Sequence, residues 1–319
     1  MNILTRFIVI VLSITLAAAA GYLCRRRQWV SEGIAGSLMF QTVVFGWTPV
    51  SIVVLWSLEL QWSLVALPII GMLLPLAMAP VGFALLKFHR LDRASAGTFV
   101  VTCGLSNVGM TMGGFICYCL FGLPGLSYVQ LYTMSWSLPF VCCYYSIGRW
   151  FDQPGEVIDL AFILRTILDR RSLPMLGAIV GLILNLYHVP MPPFIFKYHV
   201  IDLLLIPSVL LSFFAVGLQV HFSDLSQRRP VHLSLSLAKF IIAPTISLGL
   251  LTLAGLLGAN LPPLAWKVVV IEGFMPAAVF SVIISNLFHL NSRLASLMFL
   301  VNTILFLIFV LPILMVVFG

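Results

Sequence analysis

Long apolar runs, separated by short polar segments, follow one another along almost the whole chain. A helix that crosses the hydrocarbon core of a bilayer needs about 20 mostly apolar residues, and ten runs of about that length lie between charged or Pro/Gly-rich breaks. They cover residues 6–24, 34–56, 63–87, 94–121, 125–148, 173–188, 199–220, 231–257, 263–289 and 294–317. The pattern predicts ten membrane-spanning helices, spans 1 to 10, and leaves no room for a soluble domain.

Composition agrees with this pattern and excludes several classes of protein. Of the 319 residues, 61% are hydrophobic and 8% are charged, whereas about 25% of the residues of a soluble domain are charged. So few charges cannot cover the surface of a soluble fold, which excludes a soluble enzyme, a disordered chain and a nucleic-acid binder. We therefore expect an all-α integral membrane protein whose surroundings are the lipid bilayer and which binds no nucleic acid.

The basic residues predict the orientation of the spans. Only three Lys or Arg residues lie on the same side of the membrane as the N-terminus: Arg6, Lys197 and Lys267. The loops on the opposite side carry thirteen. Cytoplasmic loops are enriched in Lys and Arg, so both termini are predicted to be non-cytoplasmic. The first segment resembles a signal peptide, but the Arg triplet at 25–27 favours a first span. For a chain this compact we expect the bacterial inner membrane.

Five spans, a cytoplasmic loop and five more spans indicate two halves of opposite orientation, an inverted repeat. Residues 1–148 would form the first half, 149–172 a connector and 173–319 the second half. Weak matches relate the halves, among them GYL at 21–23 with GLI at 181–183 and Gly104 with Gly273. In the connector, EVIDLAFILRTILDRR is amphipathic, which is typical of an interfacial helix; a short connector with incidental hydrophobicity is the alternative.

Spans 4 and 9 are predicted to be interrupted near their middles. Span 4 contains GLSNVGMTMGG at 104–114, with four glycines that each cost a helix about 1 kcal/mol relative to Ala. Span 9 contains EGFMPAA at 272–278, where a proline removes a backbone donor. Paired broken helices at corresponding places point to a transporter binding site, although kinks for close helix packing are the alternative. The candidate binding residues in the breaks are Ser106, Asn107, Gly109, Gly113, Gly114, Met275 and Pro276.

Two charged residues are predicted to lie deep in the membrane. Glu272 is roughly 14 Å inside span 9 and Lys239 roughly 12 Å inside span 8, at 1.5 Å per residue. Charges at that depth are costly and are candidates for function. They could pair with each other; alternatively Glu272 carries a proton, or Lys239 holds an anionic substrate or extends to the cytoplasmic face. Asn302 in span 10 is a further binding candidate, and Gln41 is a weaker one.

The reactive side chains predict neither a metal site nor an enzyme. The six cysteines lie in or beside apolar runs without paired CxxC spacing, and the six histidines show no ligand spacing, so no disulfide framework, metal or cofactor is expected. Paired catalytic groups on facing spans are not evident either. Besides a substrate, the sequence leaves open the binding of a coupling ion, H⁺ or Na⁺.

Several stretches resemble the auxin efflux carrier family, which includes plant PIN auxin exporters and bacterial organic-acid permeases. They are NVGMTMGG (107–114) with LFG (120–122), LPMLGAIVGLIL (173–184), LSFFAVGLQV (211–220), KFIIAPTISL (239–248), MPAAVFSVIISNLFHLN (275–291) and NTILFLIFVLPIL (302–314). The resemblance implies ten helices in a 5+5 inverted repeat, with the interrupted helices 4 and 9 crossing at the midplane. The family's span-4 proline falls at Gly114 here, so glycines would break that helix.

The same resemblance implies a function and its residues. A homodimer would transport small organic anions, and Asn107 and the Met275-Pro276 turn would contact the substrate. The sequence therefore predicts a secondary transporter of a small carboxylate, working by alternating access around the crossing. A sodium-coupled symporter of the bile-acid type is the alternative, and a non-transporting receptor or intramembrane enzyme is the least favoured.

Overall fold

The computed structural model describes residues 3–153, 172–220 and 229–319. In these ranges the chain forms helices and loops, with one isolated antiparallel bridge and no strand. The amphipathic stretch predicted to be an interfacial helix, residues 156–171, lies outside the described residues. An all-helical fold, as the apolar pattern predicted, is therefore what the described chain adopts.

Eleven helices of eight or more residues make up the described chain, and we number them in chain order. They are α1 (Ile3–Arg26), α2 (Glu32–Trp56), α3 (Trp62–Leu86), α4 (Arg93–Gly104), α5 (Gly113–Asp152), α6 (Leu173–Leu186), α7 (Val200–Gln219), α8 (Arg229–Leu256), α9 (Pro263–Gly273), α10 (Phe280–Leu287) and α11 (Ser292–Phe318). By length and composition, seven of them can cross a membrane: α1, α2, α3, α5, α7, α8 and α11. These helices fit a membrane-embedded protein.

The remaining helices are short for identifiable reasons. α4, α9 and α10 are halves of the segments that the sequence predicted to be interrupted, and α6 is a 14-residue apolar helix. The long α5 contains Gly122 with φ 66° and ψ −151°, a non-helical residue that separates the end of predicted span 4 from the beginning of predicted span 5. Pro124 follows two residues later, where it cannot donate to the preceding turn.

The helices pack as two groups. One contains α1, α2, α6 and α7, with α1 against α7 and α2 against α6; the other contains α3, α4, α5, α8, α9, α10 and α11. Glycines let the first group pack closely. A Cβ built on Gly21 of α1 would lie 2.0 Å from the Phe214 carbonyl oxygen of α7, and one on Gly181 of α6 would lie 2.4 Å from that of Ile52 in α2. Small residues at helix interfaces are how membrane helices approach each other.

Replacing Gly181 by alanine should therefore destabilise the protein. The added methyl group must displace the Ile52 backbone, and overpacking of this kind costs about 1–3 kcal/mol. Gly249→Ala is the matched control, since nothing lies within 4 Å of a Cβ at that exposed helical position and alanine gains about 1 kcal/mol of helix propensity there. Thermal unfolding in detergent should show a lower midpoint for the first variant only; equal midpoints would contradict the packing described here.

Four long helices contain a π-helical segment: Thr42–Trp47 in α2, Phe140–Tyr145 in α5, Ala238–Ile242 in α8 and Phe306–Val310 in α11. Wider turns of this kind occur frequently at functional sites. Here the first two contribute side chains to the cavity described next, and the third carries Lys239. The π-helical turns thus mark three of the helices that surround the candidate site.

Candidate functional site

The two interrupted helices meet at their breaks. α4 ends at Gly104 and α5 begins at Gly113, while α9 ends at Gly273 and α10 begins at Phe280. The extended residues between them form an antiparallel bridge: the Asn107 amide donates to the Pro276 carbonyl (2.7 Å), and the Ala278 amide donates to the Leu105 carbonyl (2.9 Å). These bonds satisfy backbone groups that the helix ends leave without intrahelical partners.

Neighbouring groups hold each break in place. In the first break, which we call the 105–112 loop, the carbonyl of Asn107 accepts from the Gly113 amide (3.3 Å) and that of Gly109 from the Gly114 amide (2.5 Å). Gly109 has a φ of 76°, a conformation that favours glycine. In the second break, the Ala277 amide donates to Asn302 Oδ1 of α11 (2.8 Å).

A cavity of about 420 Å³ lies against the 105–112 loop, between the two helix groups. Its walls come from α2, the loop, α5, the beginning of α6, the end of α7 and the beginning of α10. Among the described lining residues none is charged. The polar ones are Ser106, Asn107, Thr111, Gln130, Thr133, Ser137, Tyr145, Ser172 and Gln219, and the aromatic ones include Trp47, Trp136, Phe140 and Phe280. The cavity therefore offers hydrogen-bonding groups at the loop and apolar walls elsewhere.

The predicted binding residues divide into two sets. Ser106, Asn107 and Gly109 line the cavity. The other seven are absent from its described lining and lie in or around the crossing: Gly113, Gly114, Lys239, Glu272, Met275, Pro276 and Asn302. Asn302 holds the second break through Ala277, and Met275 is fully buried. Gln41 is exposed on α2.

Asn107 presents unused donors to the cavity. Its side chain is 5% exposed, and its Oδ1 accepts a hydrogen bond from the Thr111 hydroxyl (2.6 Å). In this orientation the amide oxygen is used by the Thr111 hydroxyl, and the Nδ2 group is left for other partners. Among the described residues the Nδ2 group has no partner, so its two N–H donors are available to a bound solute.

Lys239 lies directly behind the cavity wall. The side chain is fully buried, and its Nζ donates to Ser106 Oγ at 2.9 Å. Ser106 itself lines the cavity and comes two residues after the C-terminus of α4, the end at which a helix dipole favours a cation. The ammonium group is thus one side chain away from the cavity, without lining it.

Glu272 is buried on the other side of the same loop. It lies in the last turn of α9 with no exposed surface, and a Cβ built on Gly113 would be 2.3 Å from its Oε1. The Gly109 backbone amide directs a weak hydrogen bond at the carboxyl group, but this contact falls outside strict distance and angle limits, and neither oxygen has a partner within them. A carboxyl group without partners in a protein interior is unusual.

The two buried charged side chains do not pair with each other. Lys239 and Glu272 are both described, and they form no ion pair within 4.0 Å. Lys239 contacts the residue just beyond α4, and Glu272 contacts the first residue of α5. The pairing that the sequence left open is therefore not what keeps these residues in the membrane.

Polar contacts join the helices at the end opposite to the cavity. Tyr118 of α5 donates from its hydroxyl to Asp202 Oδ1 of α7 (2.5 Å). The other oxygen of Asp202 lies 3.3 Å from His199 Nδ1. Ser127 Oγ of α5 donates to the Val54 carbonyl of α2 (2.8 Å). These contacts link the two helix groups at that end.

Several lining residues were not singled out from the sequence. Gln130, with an exposed fraction of 4%, is a polar residue inside an apolar run, and that alone could have marked it as a candidate. The aromatic walls, such as Trp47 and Phe280, carried no such signal, because aromatic residues are common throughout spans. Only the folded arrangement shows which of them face the cavity.

No protein-family model matches this chain, and no curated protein matches it. The family resemblance seen in the sequence motifs therefore stays a prediction.

Proposed function

We propose that this protein is a secondary transporter of a small organic anion, a carboxylate with an apolar body. The observation that carries the proposal is the crossing: two helices, each broken near its middle, are joined by the Asn107–Pro276 and Ala278–Leu105 backbone bonds beside a cavity. Broken helices that meet in this way supply free backbone groups and helix ends to a solute. This is also the arrangement that the resemblance to auxin efflux carriers implies.

The position of the cavity supports alternating access. Its walls include Gly36 near the beginning of α2, Pro174 near the beginning of α6 and Gln219 at the end of α7, all at the predicted cytoplasmic end. The opposite end is joined by the Tyr118–Asp202 bond. We interpret this as a state open to the cytoplasmic end and closed at the other end.

The chemistry of the cavity supports an anionic solute. Asn107 offers amide donors, which suit a carboxylate, and the Lys239 ammonium lies behind Ser106. None of the described lining residues is acidic, so no like charge opposes the anion. The aromatic and methionine side chains of the walls suit an apolar body.

Repeat-related contacts support a finer architecture of ten spans in two inverted halves. The Arg25 guanidinium donates to the carbonyls of Leu218 and Val220 at the end of α7, and Asn185 Nδ2 donates to that of Leu55 near the end of α2. In each case the first helix of one half caps the second helix of the other. Arg25 and Asn185 are the same number of residues apart as Gly21 and Gly181, the two glycines of the close helix contacts. Both pairs therefore fit one repeat spacing.

In this architecture, α4 with the beginning of α5 forms span 4, and α9 with α10 forms span 9. The remainder of α5 is span 5, and α11 is span 10. The resemblance further implies a homodimer, and the compact chain with its charge pattern favours the bacterial inner membrane with both termini outside. Oligomeric state follows from the mass of the detergent-solubilised protein, and orientation follows from labelling of cysteines introduced at each terminus.

Counterflow into liposomes tests the transport proposal. Purified protein is reconstituted into vesicles preloaded with one unlabelled acid of a panel running from acetate and succinate to phenylacetate, and entry of the labelled acid is followed. We expect exchange above that of protein-free vesicles, inhibited more strongly by carboxylates than by the corresponding neutral amides. Monodisperse protein that exchanges no acid of the panel would contradict the proposal. Exchange that requires sodium would instead favour a sodium-coupled symporter of the bile-acid type.

A further inference from the structure

Glu272 is the buried polar group that the transport proposal leaves without a role. Its carboxyl group is fully buried, neither oxygen has a hydrogen-bond partner within strict distance and angle limits, and the Gly109 backbone amide is the one donor directed at it among the described residues. An isolated ionised carboxylate in a low-dielectric interior is very costly, and such a group stays neutral instead. In the described conformation, the surroundings of Glu272 therefore favour the protonated, neutral acid.

The groups around Glu272 supply no counter-charge. From α5, Cys117 and Tyr132 are the titratable groups that act on it electrostatically. The packed parts of α3 and α8, residues 66–86 and 243–256, carry no titratable or charged residue. On α9 itself the nearest charge is Lys267, whose ammonium lies over the Phe121 ring, 5.8 Å from its centroid. Nothing in this set replaces a proton on the carboxyl group.

The beginning of α5 could bind the ionised form of Glu272. The first amides of a helix are unsatisfied donors and favour a negative charge, and Glu272 lies against Gly113, the first residue of that helix. In this conformation the Gly113 and Gly114 amides donate to the carbonyls of Asn107 and Gly109. If the 105–112 loop moves, those amides become free to receive the carboxylate.

The same loop forms the wall of the solute cavity. Asn107, Gly109 and Thr111 line the cavity, while the end of the loop leads into Gly113 at the carboxyl group. A solute that shifts the loop would therefore change the surroundings of Glu272, and a loop shift driven by ionisation of Glu272 would change the cavity wall. This shared element links the two sites physically.

We infer that Glu272 is the proton-binding site that couples solute transport to a proton gradient, with the 105–112 loop as the coupling element. The inference rests on the proposed transport function. On release, the O–H bond of the Glu272 acid breaks and the proton passes to water at the open end. The carboxylate then accepts hydrogen bonds from the freed amides of α5. On uptake the same bond forms again with a proton from the other side.

Infrared difference spectroscopy on the purified protein tests proton binding without any solute. We expect a protonated-acid C=O band that shifts when glutamate carboxyls are labelled with carbon-13 and that disappears in Glu272→Gln. Glu59→Gln is the matched control, because Glu59 is an exposed carboxylate outside the cavity, and this variant should retain the band. Absence of a labelled protonated-acid band in the wild type would overturn the inference, whatever the folding of the variants.

Transport in the same vesicles tests coupling. An inward proton gradient should make the wild type accumulate an exchanged acid of the panel, whereas Glu272→Gln should exchange it but lose the accumulation. Glu272→Asp keeps an acid group and should keep part of the accumulation. Full gradient-driven accumulation by Glu272→Gln would overturn the inference. It would also be overturned if sodium raised the unfolding temperature of the wild type but not that of Glu272→Gln. Failure of every acid to exchange would instead contradict the proposed function, while the infrared result would still decide proton binding.

Discussion

Replacing Asn107 by aspartate should greatly weaken the binding of the exchanged anion while leaving the fold intact. The two side chains have nearly the same shape, so the Thr111 hydroxyl keeps an oxygen to which it can donate, and the backbone bond to Pro276 is untouched. What changes is the free Nδ2 group at the cavity, which becomes an oxygen without donors. Each hydrogen bond to a charged group contributes about 1.5–3 kcal/mol, and the new negative charge repels the solute as well.

The expected result is at least about a hundredfold rise in the concentration of acid that gives half-maximal exchange, since 1.4 kcal/mol corresponds to tenfold. Asn260→Asp provides the matched control, because Asn260 is exposed in a loop away from the cavity and this variant should exchange like the wild type. Exchange by Asn107→Asp within a few-fold of that of the wild type would show that the amide does not bind the solute. Thermal unfolding of the detergent-solubilised variant establishes that it is folded.

The positions of the helix breaks could be predicted from the sequence, because they depend on local chemistry. Gly109 is needed for its positive φ, and Pro276 offers a carbonyl but no amide donor; neither feature needs knowledge of a neighbour. The long apolar helices were predictable for the same reason, since their length and composition are local properties. The break in α4–α5 lies within the glycine-rich stretch named from the sequence, and the break in α9–α10 overlaps the proline-containing stretch and extends one residue beyond it.

The sequence could not predict which candidate residues line the cavity and which lie in or around the crossing. Ser106 and Pro276 both lie in breaks, yet only Ser106 lines the cavity, and which residues of a break do so depends on how the two breaks pair in the antiparallel bridge. The partner of Lys239 likewise depends on how α8 packs beside α4. Depth along a span identified Lys239 and Glu272 as buried, but depth does not show which residues they touch.

The placement of the two buried charges has a common electrostatic reason. Lys239 contacts Ser106 just beyond the C-terminus of α4, and Glu272 contacts Gly113 at the N-terminus of α5. A helix dipole favours a cation at its C-terminus and an anion at its N-terminus. Interrupting one span therefore creates two helix ends of opposite polarity. The Lys239 ammonium lies beside the C-terminal end, and the N-terminal end lies beside a carboxyl group whose ionised form it would stabilise.

Lys239→Met should weaken the binding of anions selectively. Methionine fills a similar volume but removes the charge behind Ser106, so a carboxylate in the cavity loses the attraction of that cation, whereas a neutral solute loses nothing comparable. We expect the half-saturating concentration of a carboxylate to rise at least about tenfold, or about 1.4 kcal/mol. Inhibition by the matching neutral amide should change little. A purely structural role for Lys239 predicts that both would weaken together.

The matched control for this comparison is Lys197→Met, which removes the same charge from an exposed position and should leave carboxylate exchange unchanged at physiological salt, where exposed charges are screened within about 8 Å. Raising the salt concentration distinguishes the two positions further, because a buried ammonium is screened far less than an exposed one. If Lys239→Met exchanges carboxylates as well as the wild type does, the charge behind Ser106 does not select the solute. The selectivity would then have to arise from Asn107 and the backbone donors of the breaks alone.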